Sequence, residues 1–156
     1  IEHLLEWHPV KAGDFFYIPA NTVHAIGAGV SLIEVQQNSD VTYRLYDYGR
    51  PRELHLDEGM AVAQGTAHDA AHRLHLPASG NCILADGPWF RLDRVDGAVT
   101  PATSARFGKR PLLVIPTSGK ARISGEAILP GQCGYAPSLA DVEIDGPVLF
   151  AQPCTT

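Results

Sequence analysis

One short signature occurs twice, and it restricts the fold more than any other feature of the chain. Gly13 and Pro19 are separated by five residues, and so are Gly131 and Pro137, with an offset of 118 between the copies. Each copy runs on into an apolar stretch, "GVSLIEVQ" after the first and "GPVLFAQ" after the second. Glycine and proline at fixed spacing around apolar runs punctuate strands, so the matched context predicts two copies of one β-unit. The copies differ at one chemically important position. His24 stands five residues after Pro19, and Val142 stands five after Pro137.

Strand-type segments surround both copies. Residues 15–18, 30–37 and 41–48 are rich in Val, Ile, Phe and Tyr and are separated by Gly, Asn, Ser and Asp, which predicts three strands. A second series covers residues 89–95, 110–116, 120–125, 132–137 and 146–152. Between them, Asp57 is placed to cap a short helix through "EGMAVA", with Gly59 as its weak point. The polar, turn-rich run "QGTAHDAAHRLHLPASGN" reads as a connection. The expected organisation is therefore residues 1–60, a connection over 61–81, and a second unit over 82–156. The expected fold class is all-β.

Charge and cysteines narrow the function classes. A formal charge of -5 without any Lys/Arg cluster argues against a nucleic-acid or anionic-membrane partner. Cys82, Cys133 and Cys154 are odd in number and lack CxxC spacing, so reduced thiols and a cytoplasmic setting are expected. No apolar run approaches the roughly 20 residues of a membrane span. The chain lacks an initiator methionine and opens inside a pattern, and is read as a portion of a longer protein.

The run Gly13-x5-Pro19-x-Asn21-x2-His24 resembles the second sequence motif of the cupins, with Asn21 where that family more often has glycine. The resemblance implies a double-stranded β-helix, with an incomplete first unit and a degenerate second one. It also implies that His24 is a metal ligand, a role to which neutral imidazole is suited. On residues alone, a histidine satisfied by a hydrogen bond is the alternative. The segment "EVQQNSDVTYRLYDYGRPRELHL", residues 34–56, is similar to type I phosphomannose isomerases, zinc enzymes that interconvert mannose 6-phosphate and fructose 6-phosphate. By that resemblance His24 matches a zinc ligand, Arg44 an active-site arginine, and Asp40 an acidic residue near the sugar. Arg44 offers a planar fork for phosphate or enediolate oxygens. Period-two alternation puts Asp40 and Arg44 on one face, where a simple ion pair is the alternative.

The ligand set is the main departure. In the family, a Q-x-H motif and a glutamate complete the metal site upstream, and no such motif occurs here; Glu2, His3 and His8 fit none. One imidazole cannot make a zinc site, so the chain is expected to carry part of an active site, inactive alone. His68, His72 and His75 could place two imidazoles on one helix face by i, i+4 spacing, although solvated loop histidines are the simpler reading. The substrate expected is a sugar phosphate, with self-association through an unpaired sheet edge. Two other readings stay open. One is a non-catalytic sugar-phosphate-binding or regulatory cupin module. The other is a complete small metal-cupin oxidoreductase using His24 with His68 or His72.

Overall fold

A computed structural model describes residues 1–154. The chain divides into two compact units, Ile1–His75 and Leu76–Thr156. The architecture is all-β with two short helices among the described residues, as a cupin-type chain requires.

The first unit is sparsely paired. It contains β1 (Asp14–Phe16), α1 (Leu56–Val62) and β2 (Arg73–His75), with β1 and β2 forming a two-stranded antiparallel sheet in which Phe15 lies opposite Leu74. The Tyr17 amide extends the pairing by donating to the His72 carbonyl at 2.8 Å. The expected strands at 30–37 and 41–48 do not form. Their residues are strand-like, but a strand exists only where a neighbour accepts its amides and carbonyls, and no described segment pairs with them in a ladder. Leu32, Ile33, Val41, Tyr43 and Tyr46 are left exposed.

α1 starts one residue before Asp57, with His55 at the cap position; Asp57 instead occupies the first turn, where a negative charge complements the helix dipole. Gly59 is buried, and a side chain there would come within 2.5 Å of the Leu45 Cδ2 atom. The residue that weakens the helix locally thus lets it lie against Leu45.

The second unit is a closed two-layer structure. Its elements are β3 (Cys82–Asp86), β4 (Phe90–Val95), α2 (Pro101–Phe107), β5 (Leu112–Pro116), β6 (Lys120–Ile123), β7 (Glu126–Ile128), β8 (Gly134–Ala136), β9 (Val142–Asp145) and β10 (Val148–Pro153). One sheet has the order β3-β4-β10-β5-β8 and the other β7-β6-β9, all antiparallel. Alternate residues of facing strands meet in a core of Val95, Leu112, Val114, Ala121, Ile123, Ala136, Val148 and Phe150. Phe107 of α2 closes it, edge-on to Phe150 with centroids 5.5 Å apart. All five strands expected in this unit are present. β3, β7, β9 and α2 are additions, and α2 follows from a Thr100 cap accepting from the Thr103 amide and from proline at the first position.

The two copies of the repeat share a left-handed glycine. Gly13 and Gly131 have φ values of 92° and 87°, open to glycine at no steric cost; β1 follows the first directly and ends at Phe16, three residues before Pro19, whereas β8 starts three residues after the second and ends just before Pro137. Val142 opens β9 and packs against the core.

α2 is tied to the first sheet by Arg106. Its Nε donates to both Asp93 oxygens at 2.9 Å, its Nη1 to Asp86 Oδ2 at 2.8 Å and its Nη2 to the Ala85 carbonyl at 3.1 Å. Burial nevertheless holds the Asp93 carboxyl above its usual range, with Arg106 opposing. Arg106→Ala leaves that carboxylate buried without its partner and should cost about 3–5 kcal/mol by denaturant unfolding of the second unit. Because the folded-state value is raised, Asp93 holds its proton longer in the folded than in the unfolded chain. Its contribution to stability should therefore fall as pH rises from near 4 through the folded value, more steeply in the variant. A pH-independent loss would remove this account.

Candidate functional site

The turn that presents His24 is built by backbone. Asn21 has φ 70°, a left-handed conformation that asparagine tolerates, and the Thr22 amide donates back to the Pro19 carbonyl at 3.2 Å. The Gln64 amide donates to the Asn21 carbonyl at 2.9 Å, and Thr22 bridges Gln64, so the turn is pinned to the residues just after α1. His24 is exposed, and its Nδ1 lies 2.9 Å from the Thr22 carbonyl oxygen. A carbonyl can only accept. Nδ1 therefore carries the proton and Nε2 presents its lone pair outward, the arrangement that suits metal ligation.

Arg44 is fixed from both sides by the segment preceding α1. Its amide donates to His55 Nδ1 at 3.1 Å, its carbonyl accepts from the His55 amide at 2.8 Å, and its Nη1 donates to the Glu53 carbonyl at 3.0 Å. One corner of the guanidinium is thus anchored, with its other nitrogens available to an anion. Asp40 is exposed on a loop beside Ser39. Among the described residues no hydrogen bond or ion pair joins any two of His24, Asp40 and Arg44; residues 41–48 are not held in a ladder, so alternation does not force Asp40 and Arg44 together.

The sequence reading passed over Asp47. This carboxylate is 4% exposed and is held between two arginines. Arg50 Nη2 donates to Oδ1 at 2.7 Å, Arg52 Nε donates to Oδ2 at 2.6 Å, and Arg52 Nη2 also reaches Oδ1. Tyr48 and Gly49, with φ 53° and 75°, reverse the chain, and the Arg50 amide closes the turn on the Asp47 carbonyl at 2.9 Å. The signal was present in "DYGRPR", an acidic residue and two basic ones flanking a Tyr-Gly turn.

The three clustered histidines do not share an α-helix. His68 precedes the 3-10 turn Ala70–His72, and its Nε2 donates to the Tyr17 carbonyl at 2.8 Å. His72 lies edge-on to Tyr17, and His75 Nδ1 pairs with Asp14 Oδ1 at 2.7 Å. Among the described residues, no three or more His, Cys, Asp or Glu side chains gather as a metal site. His24 is thus suited to be one ligand of a zinc ion, but the residues present do not complete a set, with or without His68 or His72.

Comparison with known proteins identifies the relatives. The chain is 38% identical over 133 residues to a mannose-6-phosphate isomerase of Streptococcus mutans, an alignment covering 79% of this chain and 41% of the relative. It is 37% identical over 143 residues to mannose-6-phosphate isomerase ManA of Bacillus subtilis, covering 85% and 45%. This chain is a relative of the mannose-6-phosphate isomerases. It spans less than half the length of these two relatives. A probable mannose-6-phosphate isomerase of B. subtilis, GmuF, is 42% identical over 87 residues, covering 52% of this chain and 28% of the relative. No family model matches the chain, and no solved structure matches it significantly. No described helix is long and apolar enough to cross a membrane.

The Asp47 clamp yields a pH prediction. The hydrogen bond from Arg52 holds the Asp47 carboxyl below its usual range, with Arg50 adding to it and burial opposing. A depressed folded-state value contributes stability above the unfolded value near 4, and that contribution is lost as pH falls through the folded value. Asp47→Asn should therefore lower the melting temperature at pH 7, and the gap to the parent should close towards pH 2–3. A gap of constant size across that range would show that the clamp is not electrostatic.

Proposed function

We propose that this chain is part of an aldose–ketose isomerase acting on mannose 6-phosphate and fructose 6-phosphate. The observation that carries the reading is the presentation of His24: a motif turn, pinned at Asn21 and Thr22, that turns the Nε2 lone pair outward. The names of the relatives supply the substrate class.

In this reading His24 contributes one ligand to zinc, and the remaining ligands come from polypeptide outside this chain. When bound, such an ion supplies Lewis-acid polarisation of sugar oxygens. Arg44, braced by the Glu53 carbonyl, takes the phosphate or the developing enediolate with its remaining donors. Asp40 lies on an exposed loop, free to orient a sugar hydroxyl. The reaction moves a proton between C2 and C1 through an enediolate, and the base that carries it is not assigned to any residue of this chain. The setting is cytoplasmic, with a sugar phosphate as the partner and no nucleic acid or membrane.

Residues 30–48, which join no strand ladder, belong to the same picture. Exposed strand-like backbone with apolar side chains invites a pairing partner. The rest of an isomerase is the partner we assign to it.

Two experiments test this reading. In the full-length protein containing this sequence, His24→Ala should abolish zinc retention and isomerase activity. Arg44→Ala should lower kcat/KM by about 10²–10³-fold with zinc retained. An active, zinc-loaded His24→Ala enzyme would overturn the assignment, and sugar-phosphate binding without turnover in the parent would favour a non-catalytic module. The purified chain alone should show no turnover even with zinc in excess, and should self-associate by sedimentation at rising concentration. A monomeric chain with turnover of roughly 1–1,000 per second would sink the claim that it is partial.

A further inference from the structure

We infer that Asp47 is a positioning residue for Arg44: it anchors Arg52, Arg52 fixes the Glu53 peptide, and the Glu53 carbonyl aims the Arg44 guanidinium. What Arg44 then contacts, a sugar phosphate or its enediolate, rests on the isomerase reading above.

Asp47 carries a buried charge that no step of the proposed reaction uses. Its carboxylate is almost wholly removed from water, in a unit with few buried side chains. Both of its partners follow it closely in sequence. Arg52 donates from Nε at 2.6 Å and from Nη2, and Arg50 donates from Nη2 at 2.7 Å. Compared with apolar packing, a buried ion pair adds little net stability; what it supplies is one geometry for the segments it joins.

The segments joined here form a closed loop over residues 44–55. At its neck the Arg44 amide donates to His55 Nδ1 at 3.1 Å, and the His55 amide donates to the Arg44 carbonyl at 2.8 Å. Tyr43 and Leu45, on either side of Arg44, lie against α1, where a Cβ at Gly59 would come within 3.3 Å of one and 2.5 Å of the other. The neck therefore sets the Arg44 backbone. The guanidinium is held separately, by Nη1 donating to the Glu53 carbonyl at 3.0 Å.

Glu53 is itself exposed, and its peptide is placed by the residue before it. The Arg50 amide donates to the Asp47 carbonyl at 2.9 Å and the Arg52 amide to the Arg50 carbonyl at 2.8 Å, which turns Arg52 back towards Asp47. The Arg52 fork then closes on the carboxylate. With Arg52 tied, the Glu53 carbonyl has one orientation and Arg44 one anchor. A long side chain fixed before substrate arrives loses less freedom on binding, and a misplacement of about 1 Å can cost a hundredfold in rate. The two arginines also neutralise Asp47, three residues from Arg44, and leave the Arg44 charge for the substrate.

Two measurements test this assignment. In the purified chain, arginine side-chain NMR follows the Arg44 Nε–H signal, assigned by its loss in Arg44→Ala. In Asp47→Asn that signal should shift and its heteronuclear NOE should fall. In the full-length protein, Asp47→Asn should lower kcat/KM for mannose 6-phosphate about tenfold to a hundredfold with zinc content unchanged. In an Arg44→Ala background the same substitution should change kcat/KM by less than about twofold, because a residue that acts through Arg44 then has nothing to act on. A merely structural role would cost the same factor in both backgrounds. Arg52→Lys keeps the charge but loses the fork; it should reproduce both results, and it decides the question if Asp47→Asn does not fold. The assignment fails if the Arg44 signal is the same in parent and variants, or if the two losses in kcat/KM multiply. A full-length parent without isomerase activity would overturn the isomerase reading instead, and the NMR result alone would then decide whether Asp47 positions Arg44.

Discussion

The constraint on which everything else rests is that extended backbone must be paired. Every residue outside proline brings an amide and a carbonyl that need partners, and a strand meets that need only through its neighbours. The second unit satisfies it, because β4, β10 and β5 each have neighbours on both sides and the two sheets enclose Phe150, Val148 and Val114. Where two of its turns meet, Gly119 with φ 69° lies so close to the Asp145 carbonyl that any side chain would clash at 2.2 Å. The first unit meets the requirement only along β1 and β2. Elsewhere it relies on point contacts: the Arg44–His55 exchange, the Asp47 clamp and the bridge from Thr22 to Gln64.

This difference explains which parts of the fold were legible in the sequence. Strands 90–95 and 148–153 stood out because apolar runs between glycines and prolines become ladders whenever partners lie within the same unit. Residues 30–37 and 41–48 carry the same local signal, but local signal reports propensity, and the partner decides the outcome. β7 and β9 were missed for the opposite reason: "EAI" and "VEID" are short and half-polar, and become strands only by lying on either side of β6. α2 was hidden because "TPATSARF" has modest helix propensity. Its stability comes from Phe107 in the core and Arg106 on Asp93.

The candidate site was legible only through resemblance: the residues alone left His24 as a hydrogen-bonded histidine and Arg44 as one half of an ion pair, and the structure adds the local backbone of each, a left-handed residue before one and a short return to His55 after the other. What the sequence could not convey was which nitrogen of His24 faces outward, since that depends on a single hydrogen bond to Thr22. Asp47 was missed because a carboxylate in a turn-rich segment is usually solvated, whereas here two arginines follow it within the reach of one tight turn and make its burial tolerable. The spacing of His68 and His72 allowed a shared helix face, with loop histidines the simpler reading; the two rings lie 5.6 Å apart, His68 before and His72 at the end of a capped 3-10 turn, with no α-helix involved.

The two copies of the repeat show how one turn can leave a residue exposed or pack it into a core. Both begin from a left-handed glycine, and both place a residue five positions beyond a proline at the entry to the next segment. In the second unit that segment becomes β9, paired to β6, and the residue packs on the core. An imidazole there would bury polar nitrogens among Ile123, Ile144 and their neighbours, at a cost of about 1–3 kcal/mol for each unpaired group, and valine avoids it. In the first unit the equivalent segment has no such partner, His24 remains exposed, and its ring is oriented by one backbone carbonyl. Closing the core and keeping an exposed imidazole therefore make opposite demands on this position. A unit whose core is complete has little room for the histidine, and His24 stays exposed where no strand pairs beside it.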